Sequence, residues 1–382
     1  MRIYLDHAAS TPLRKEVLEA MTPFLCDYFG NGSSAHHHGR KLKSAIENAR
    51  ATVAEYVGAA PSEIFFTSGG TEADNMAIVG AVRAYKLTHI ISTEIEHHAV
   101  THTIEHLEKE GTIRKTYLPV DERGNIQLHD LETALANNPR SLVSLMHGNN
   151  EIGTLHDIRA IGELCEKYNA LFHSDTVQTI GTFKYDLSDL KVHFITASAH
   201  KFNGPKGVGF LYIKQGTRIP ALILGGSQER NMRAGTENVA SIVGLAKAFE
   251  LCQCGQAEKR KKLWGLKSYM MEQLKAKMPD VAFNGEIELD KAMPNVLNVA
   301  VPCGPDDAML LFNMDIAGVS VSGGSACTSG SVQGSHVLSC LGHRPERVIN
   351  SIRFSFGYGT SKEEIDFAIN SLINVVQSQI FI

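Results

Sequence analysis

No stretch of the 382-residue chain holds the roughly 18–20 consecutive apolar residues that a bilayer span requires, so a transmembrane helix is not expected. Cysteine is sparse: seven residues, an odd number scattered over the chain, do not describe a disulfide framework. An excess of one charge is lacking too. The 37 basic and 41 acidic residues leave a formal charge of −4, which excludes a nucleic-acid binder working through its overall field. Internal repeats and low-complexity tracts are absent. The start, Met1-Arg2-Ile3-Tyr4-Leu5-Asp6-His7, turns polar too early for a signal peptide. What is there is ordinary for a folded protein, 43% hydrophobic and 20% charged. The length exceeds the roughly 250–300 residues that one core serves, so two domains are expected in a soluble, cytoplasmic, globular protein.

Thr11-Pro12 reads as a cap followed by proline at the first helical position, and Leu13, Val17, Met21, Phe24 and Tyr28 then recur at helical spacing. Leu42, Ile46, Ala49, Val53 and Val57 mark a second helix, with Gly58 as its stop. Beyond it, short apolar runs (Ile64–Phe66, His89–Ile91, Leu142–Leu145, Ala170–Phe172, Phe194–Thr196) alternate with helical patterns near 71–85, 98–110, 128–137 and 157–168. That alternation predicts an α/β fold, a mostly parallel sheet covered by helices. From Glu237 a long helix is expected to about Met278, carrying the basic run Lys259–Lys262 on a solvated face. Strands at Val296–Val301 and Val348–Phe354, with helices near 306–317 and 362–378, then predict a smaller α+β unit.

In an open parallel sheet, ligands gather beyond the C-terminal strand ends. Thr67-Ser68-Gly69-Gly70-Thr71-Glu72 is such a turn, where a helix start offers amide donors to a phosphate, although ordinary turns look the same. Asp175 closes another strand, where a carboxylate suits a protonated ring nitrogen or simply caps a helix. Lys201, in Ser198-Ala199-His200-Lys201, follows a third; a desolvated lysine can form a Schiff base, while most lysines are surface charges. Cys327 lies in Ser322–Ser331, too rich in glycine and serine for a packed core and suited to a travelling thiol nucleophile. Cys26, Cys165 and Cys340 fall in helical patterns and are expected in or near the core. Cys252 and Cys254 are poorly spaced for a metal. The histidines His36–His38 and His98, His102, His106 read as solvated or hydrogen-bonded helix faces rather than metal ligands. Each of the four chemical features is weak alone; together they describe pyridoxal-5′-phosphate chemistry with an added cysteine nucleophile.

At these residues the sequence resembles the cysteine desulfurases of the class V aminotransferase family, fold-type I. The likeness runs over essentially the whole chain, through TSGGTEADN (67–75), Glu96-His97, HGNNEIG (147–153), HKFNGPKG (200–207), RAGTEN (233–238), SACTS (325–329) and RFSFG (353–357). It implies an N-terminal segment (1–15) packing with the small domain, a large cofactor-binding domain (16–250) and a small α+β domain (251–382) with a mobile cysteine loop. By the same resemblance Lys201 would carry the pyridoxal phosphate. Gly70, Thr71, Ser198 and His200 would contact its phosphate, and Thr236 would reach the phosphate held by the partner subunit of a homodimer. Asp175 would pair with the ring nitrogen, Gln178 and Asn150 with the phenolic-oxygen side. His97 would stack on the ring and assist proton transfer, and either His97 or the substrate itself would accept the proton of the Cys327 thiol. Arg353, with Asn150, would hold the substrate carboxylate.

The implied reaction converts L-cysteine to L-alanine, with the sulfur taken by Cys327 as a persulfide and passed to an acceptor protein, an iron–sulfur scaffold or a tRNA-thiolation enzyme. A selenocysteine lyase or plain aminotransferase would share the cofactor residues without needing Cys327. A non-catalytic sulfur-trafficking platform would need neither Lys201 nor Asp175. Gly32 and Asn203 depart from the family's commoner residues near the site entrance, and the chain ends at Ile382 without the longer tail of the scaffold-feeding type.

Overall fold

The computed structural model of the chain describes residues 2–302, 309–324 and 334–380, with 378–380 by backbone alone. The strands are β1 (Ile3–Tyr4), β2 (Ile64–Thr67), β3 (His89–Ser92), β4 (Arg114–Tyr117), β5 (Ser141–Ser144), β6 (Leu171–Asp175), β7 (Phe194–Ser198), β8 (Gly209–Ile213), β9 (Ala282–Asn284), β10 (Val296–Ala300), β11 (Val319–Ser320) and β12 (Ser351–Ser355). Helices α1 (Lys15–Cys26), α2 (His37–Val57), α3 (Gly70–Tyr85), α4 (His98–Lys109), α5 (Leu128–Asn137) and α6 (Ile158–Lys167) alternate with the first strands. Then come α7 (Val239–Gln253), α8 (Gln256–Lys277), α9 (Leu310–Ile316), α10 (His336–Cys340), α11 (Pro345–Ile349) and α12 (Lys362–Ile380).

Among the described residues a seven-stranded sheet has the order β2-β8-β7-β6-β5-β3-β4. Neighbours from β7 to β4 are parallel, and β8 alone runs against both of its neighbours. The mostly parallel α/β sheet expected from the apolar runs is what forms. Its central strands are buried along their whole length because both faces are covered, which is why they read as continuous apolar runs. One face packs with α1, α2, α5, α6 and α7, the other with α3 and α4. A separate core joins α8 and α12 to the small antiparallel sheet β12-β10-β9, and Ile3 and Leu5 are buried in it, with β1 paired to β11.

Several local expectations are corrected. Helix α1 starts at Lys15, not at Pro12. Thr11 instead donates to the His200 carbonyl at 2.7 Å and accepts the Asn203 N–H at 2.7 Å, tying the N-terminal segment to the turn that bears Lys201. The long helix from 237 to 278 is two, since Cys254 is extended and Gly255 sits at φ +64, a left-handed position that glycine adopts without strain. Within the basic run Lys261 and Lys262 are exposed, but Arg260 lies over the Phe183 ring at 4.5 Å. The apolar run from Val348 is divided as well, because Pro345 opens the short helix α11 before β12 begins. Cys165 is buried as expected, whereas Cys26, on the last turn of α1, is exposed and Cys340 is partly so.

Candidate active site

The C-terminal ends of β6 and β7, the start of α3 and the N-terminal segment surround a cavity of ≈ 240 Å³. It brings together Gly70, Thr71, His97, Asn150, Asp175 and Gln178, with Ser198, His200, Lys201 and Arg353 completing the wall. These come from the whole length of the chain. Thr236 lines a different pocket, with Ser68, Arg233 and Glu237. Cys327 lies outside the described residues.

At one end α3 begins at Gly70, and no side chain caps it, so its first amides are available to a ligand. The approach is close: a Cβ on Gly70 would stand 2.8 Å from Val177 Cγ2, and one on Gly209 would stand 2.9 Å from Gly69 Cα. Glu72 accepts the Ser68 N–H and pairs with Arg233 at 2.9 Å, which fixes the turn from outside. Ser198 and His200 border the same end. His200 approaches Ser10 Oγ at 3.3 Å, and burial, with Lys201 and Lys206, pulls it down to about 4, so it is neutral at pH 7.

Lys201 projects from a single 3₁₀ turn after β7, and its Nζ donates to the carbonyls of Ala8 at 2.6 Å and Ala9 at 3.0 Å. Gln178 Nε2 also donates to Ala8 at 3.0 Å. Asp175 accepts the Val177 N–H at 2.8 Å; burial, and next the neighbouring Asp74, push it up to about 7. His97 caps α4, its Nδ1 accepting the Ala99 N–H at 3.1 Å. Burial, then Lys201, lower it to about 4. A neutral ring whose Nδ1 is an acceptor carries its proton on Nε2. His97 therefore offers the cavity a donor, and the reading of it as acceptor for the Cys327 proton loses its support.

Arg353, on β12, is 1% exposed. It donates to the Asn150 carbonyl at 2.9 Å and to Asp6 Oδ1 at 2.8 Å, while its Nε is buried without a partner. A buried guanidinium with an unused donor beside a cavity is prepared for an anionic oxygen. Sequence reasoning passed over three further residues. Asp74 lines the cavity, and buried Glu96 accepts the Met146 N–H at 2.7 Å. His173 is fully buried behind the wall. Periodicity could have signalled two of them: Asp74 lies one helical turn after Gly70, and His173 shares a strand face with Asp175.

The donor set fits pyridoxal 5′-phosphate. A helix start with hydroxyls suits its phosphate, a primary amine its aldehyde, and a buried carboxylate its ring nitrogen. The stacked rings of His98 and His102, with centroids 4.6 Å apart, and the tilted pair of His98 and His336, at 4.3 Å, lie outside that set.

Comparison with known proteins agrees. Residues 3–367 match the aminotransferase class-V family. A cysteine desulfurase IscS from Dictyoglomus turgidum is 46% identical over 377 residues, covering 98% of this chain and 94% of its own. A solved NifS-like protein is 35% identical with a TM-score of 0.91, covering 99% of this chain and 100% of that one. A structure of SspA in complex with cysteine is 32% identical with a TM-score of 0.79, over 93% and 99% of the two chains.

Proposed function

The chain belongs to the class V aminotransferase family, and on that premise we propose that it is a pyridoxal-phosphate-dependent cysteine desulfurase that converts L-cysteine to L-alanine and takes the sulfur on Cys327. The single observation that carries the reading is the convergence of Asp175 and Lys201, from the ends of the paired strands β6 and β7, with Arg353 from the remote β12 on one cavity beside an open helix start. The bound cofactor supplies an electron sink for the negative charge that develops at the substrate α-carbon.

The chain's own residues do the rest. The α3 amides, Thr71, Ser198 and His200 hold the phosphate, and Thr236 serves the partner subunit's site in a homodimer. Asp175, as carboxylate, keeps the ring nitrogen protonated, with Gln178 and Asn150 on the phenolic-oxygen side. Arg353 orients the substrate carboxylate through guanidinium N–H groups that its bonds to Asn150 and Asp6 leave unused. Lys201 removes the α-proton and returns a proton to the product. His97 donates from Nε2 toward the ring. Cys327 forms the new sulfur–sulfur bond as the substrate carbon–sulfur bond breaks. An unperturbed thiol is only a few per cent thiolate at pH 7, so Cys327 needs a proton acceptor, and the substrate's own groups are the acceptor this reading keeps. The sulfur then passes to an acceptor thiol of an iron–sulfur scaffold or thiolation enzyme in the cytoplasm. Burial of Ile3 and Leu5 in the small-sheet core supports the division into an N-terminal segment, a large unit from 16 to 250 and a small one from 251.

The test is anaerobic release of alanine and sulfide from L-cysteine with dithiothreitol, comparing wild type with Cys327→Ser. Equimolar products that vanish in the variant are expected. Undiminished sulfide from the variant would remove Cys327 from the mechanism, and no alanine from cofactor-loaded wild type would remove the reading.

A further inference from the structure

Two carboxyls line the inner side of the cavity, Asp74 on α3 and Asp175 at the end of β6, and Glu96 after β3 is buried near both. Their surroundings differ. Asp175 receives a backbone N–H from Val177 at 2.8 Å and faces the space where a ring nitrogen would sit. Asp74 is 1% exposed and takes a hydrogen bond from the Thr196 hydroxyl, but its Oδ1 is buried without a hydrogen-bond partner. The nearest ring nitrogen, His173 Nε2, stands 3.3 Å away and is shared with Thr196 Oγ1 at 3.1 Å. His173 Nδ1 meets Ser144 Oγ at 2.9 Å, so hydroxyls occupy both ring nitrogens. A buried ionised carboxylate needs donors on both oxygens or a cation, and a neutral acid does not.

The charged and titratable groups facing Asp74 supply no such cation. On β6, burial holds His173 near 4, so it is neutral at pH 7. After β3 and at the start of α4, burial pushes Glu96 up, toward its neutral form, and His97 down to about 4, so neither supplies a cation at pH 7. After β7, His200 is neutral, and the Lys201 ammonium is directed at the Ala8 and Ala9 carbonyls. On β12, Arg353 is held by Asp6. Asp175 remains, and the charge of one of these two carboxylates raises the other, which favours one proton held between them.

We infer that Asp74 is the proton-holding partner of Asp175: it stands as a neutral acid beside the cofactor cavity, so that Asp175 alone presents a negative charge to the ring nitrogen. Asp74 is thus a positioning residue acting through Asp175, and the inference rests on the cofactor reading above. The ordering of the two acids supports it, since burial takes Asp74 up to about 8 while Asp175, with its backbone donor, reaches about 7. A cofactor cation at Asp175 widens that gap.

The test uses cofactor-loaded protein and Asp74→Asn, whose amide copies a neutral acid in shape. At pH 7 the visible cofactor band and the nitrogen-15 signal of the labelled ring are expected to match wild type, with the cofactor dissociation constant within about threefold. Infrared difference spectra are expected to show the loss of one neutral-acid carbonyl band, which in wild type fades as the pH rises through about 8. Loss of a carboxylate band instead, with a shifted ring signal at pH 7, overturns the inference. Wild-type protein labelled with carbon-13 aspartate answers without a substitution: if no aspartate carboxyl of the loaded protein titrates above pH 7, Asp74 is not the proton holder. A wild type that shows no cofactor band at all would count against the proposed function rather than against Asp74.

Discussion

Asp175 is buried and accepts one backbone N–H, so its charge is poorly compensated until a cationic ring arrives. Protonation of Asp175, at about 7, removes the carboxylate that the ring needs. Cofactor affinity is therefore expected to weaken as the pH falls below 7, measured by equilibrium dialysis from pH 8 to 5.5. Asp175→Asn should lower kcat by about 10²–10³-fold, the usual cost of removing one preorganised electrostatic partner. Asp74 gives a stability prediction of opposite pH sense. Its folded value, near 8, lies above its unfolded value of 3.8, so between those limits the native state binds the extra proton and stability falls as pH rises. In cofactor-free protein Asp74→Asn should thus be more stable than wild type at pH 8, by on the order of a few kcal/mol, read from urea midpoints. Lys201 and Asp175 were legible in the sequence because each closes an apolar strand. Asp74 was not: a carboxylate on a helix looks the same in sequence whether it meets water or a sealed wall.

Among the elements, β2 lies at an edge of the large sheet, where exposed backbone groups invite pairing with another chain. Arg50 of α2 and Glu229 guard it. Arg50 donates to Glu229 at 2.7 Å and to the Ile64 carbonyl at 2.8 Å, and Glu229 accepts the Phe66 N–H at 2.8 Å. The two side chains are 2% and 4% exposed, so Arg50→Met would strand a buried carboxylate. A loss of about 3–5 kcal/mol is expected in chemical denaturation, with added aggregation, whereas a surface pair such as Lys167–Glu132 should cost under about 1 kcal/mol. The elements themselves were largely legible, since the apolar runs that marked β2, β3 and β5–β7 are strands covered on both faces. What the pattern missed was backbone geometry. Gly255 divides a continuous helical period by its left-handed turn, and Thr11 trades a cap for bonds to a segment nearly 190 residues away.

At the scale of the molecule, acid sensitivity follows from its buried histidines. His97, His173 and His200 are each lowered to about 4 mainly by burial, against 6.5 when unfolded. The unfolded chain therefore binds more protons between those values, and stability should fall as pH drops from 6.5 to 4, seen as a falling Tm across that window. The gathering of Gly70, Asp175 and Lys201 on one cavity was readable together with the fold because all three stand just beyond strand ends. The partner subunit's contribution through Thr236 is carried by the resemblance alone, as Thr236 lines a different pocket from Lys201.

The central claim is that sulfur leaves cysteine and lands on Cys327. Cofactor-loaded protein given one equivalent of L-cysteine without reductant, then alkylated and digested, tests it by mass spectrometry. The account predicts one added sulfur atom on the peptide bearing Cys327, matched by one alanine per site. Alanine formed with that peptide unmodified, or the added sulfur found on Cys26, Cys254 or Cys340 instead, would contradict it.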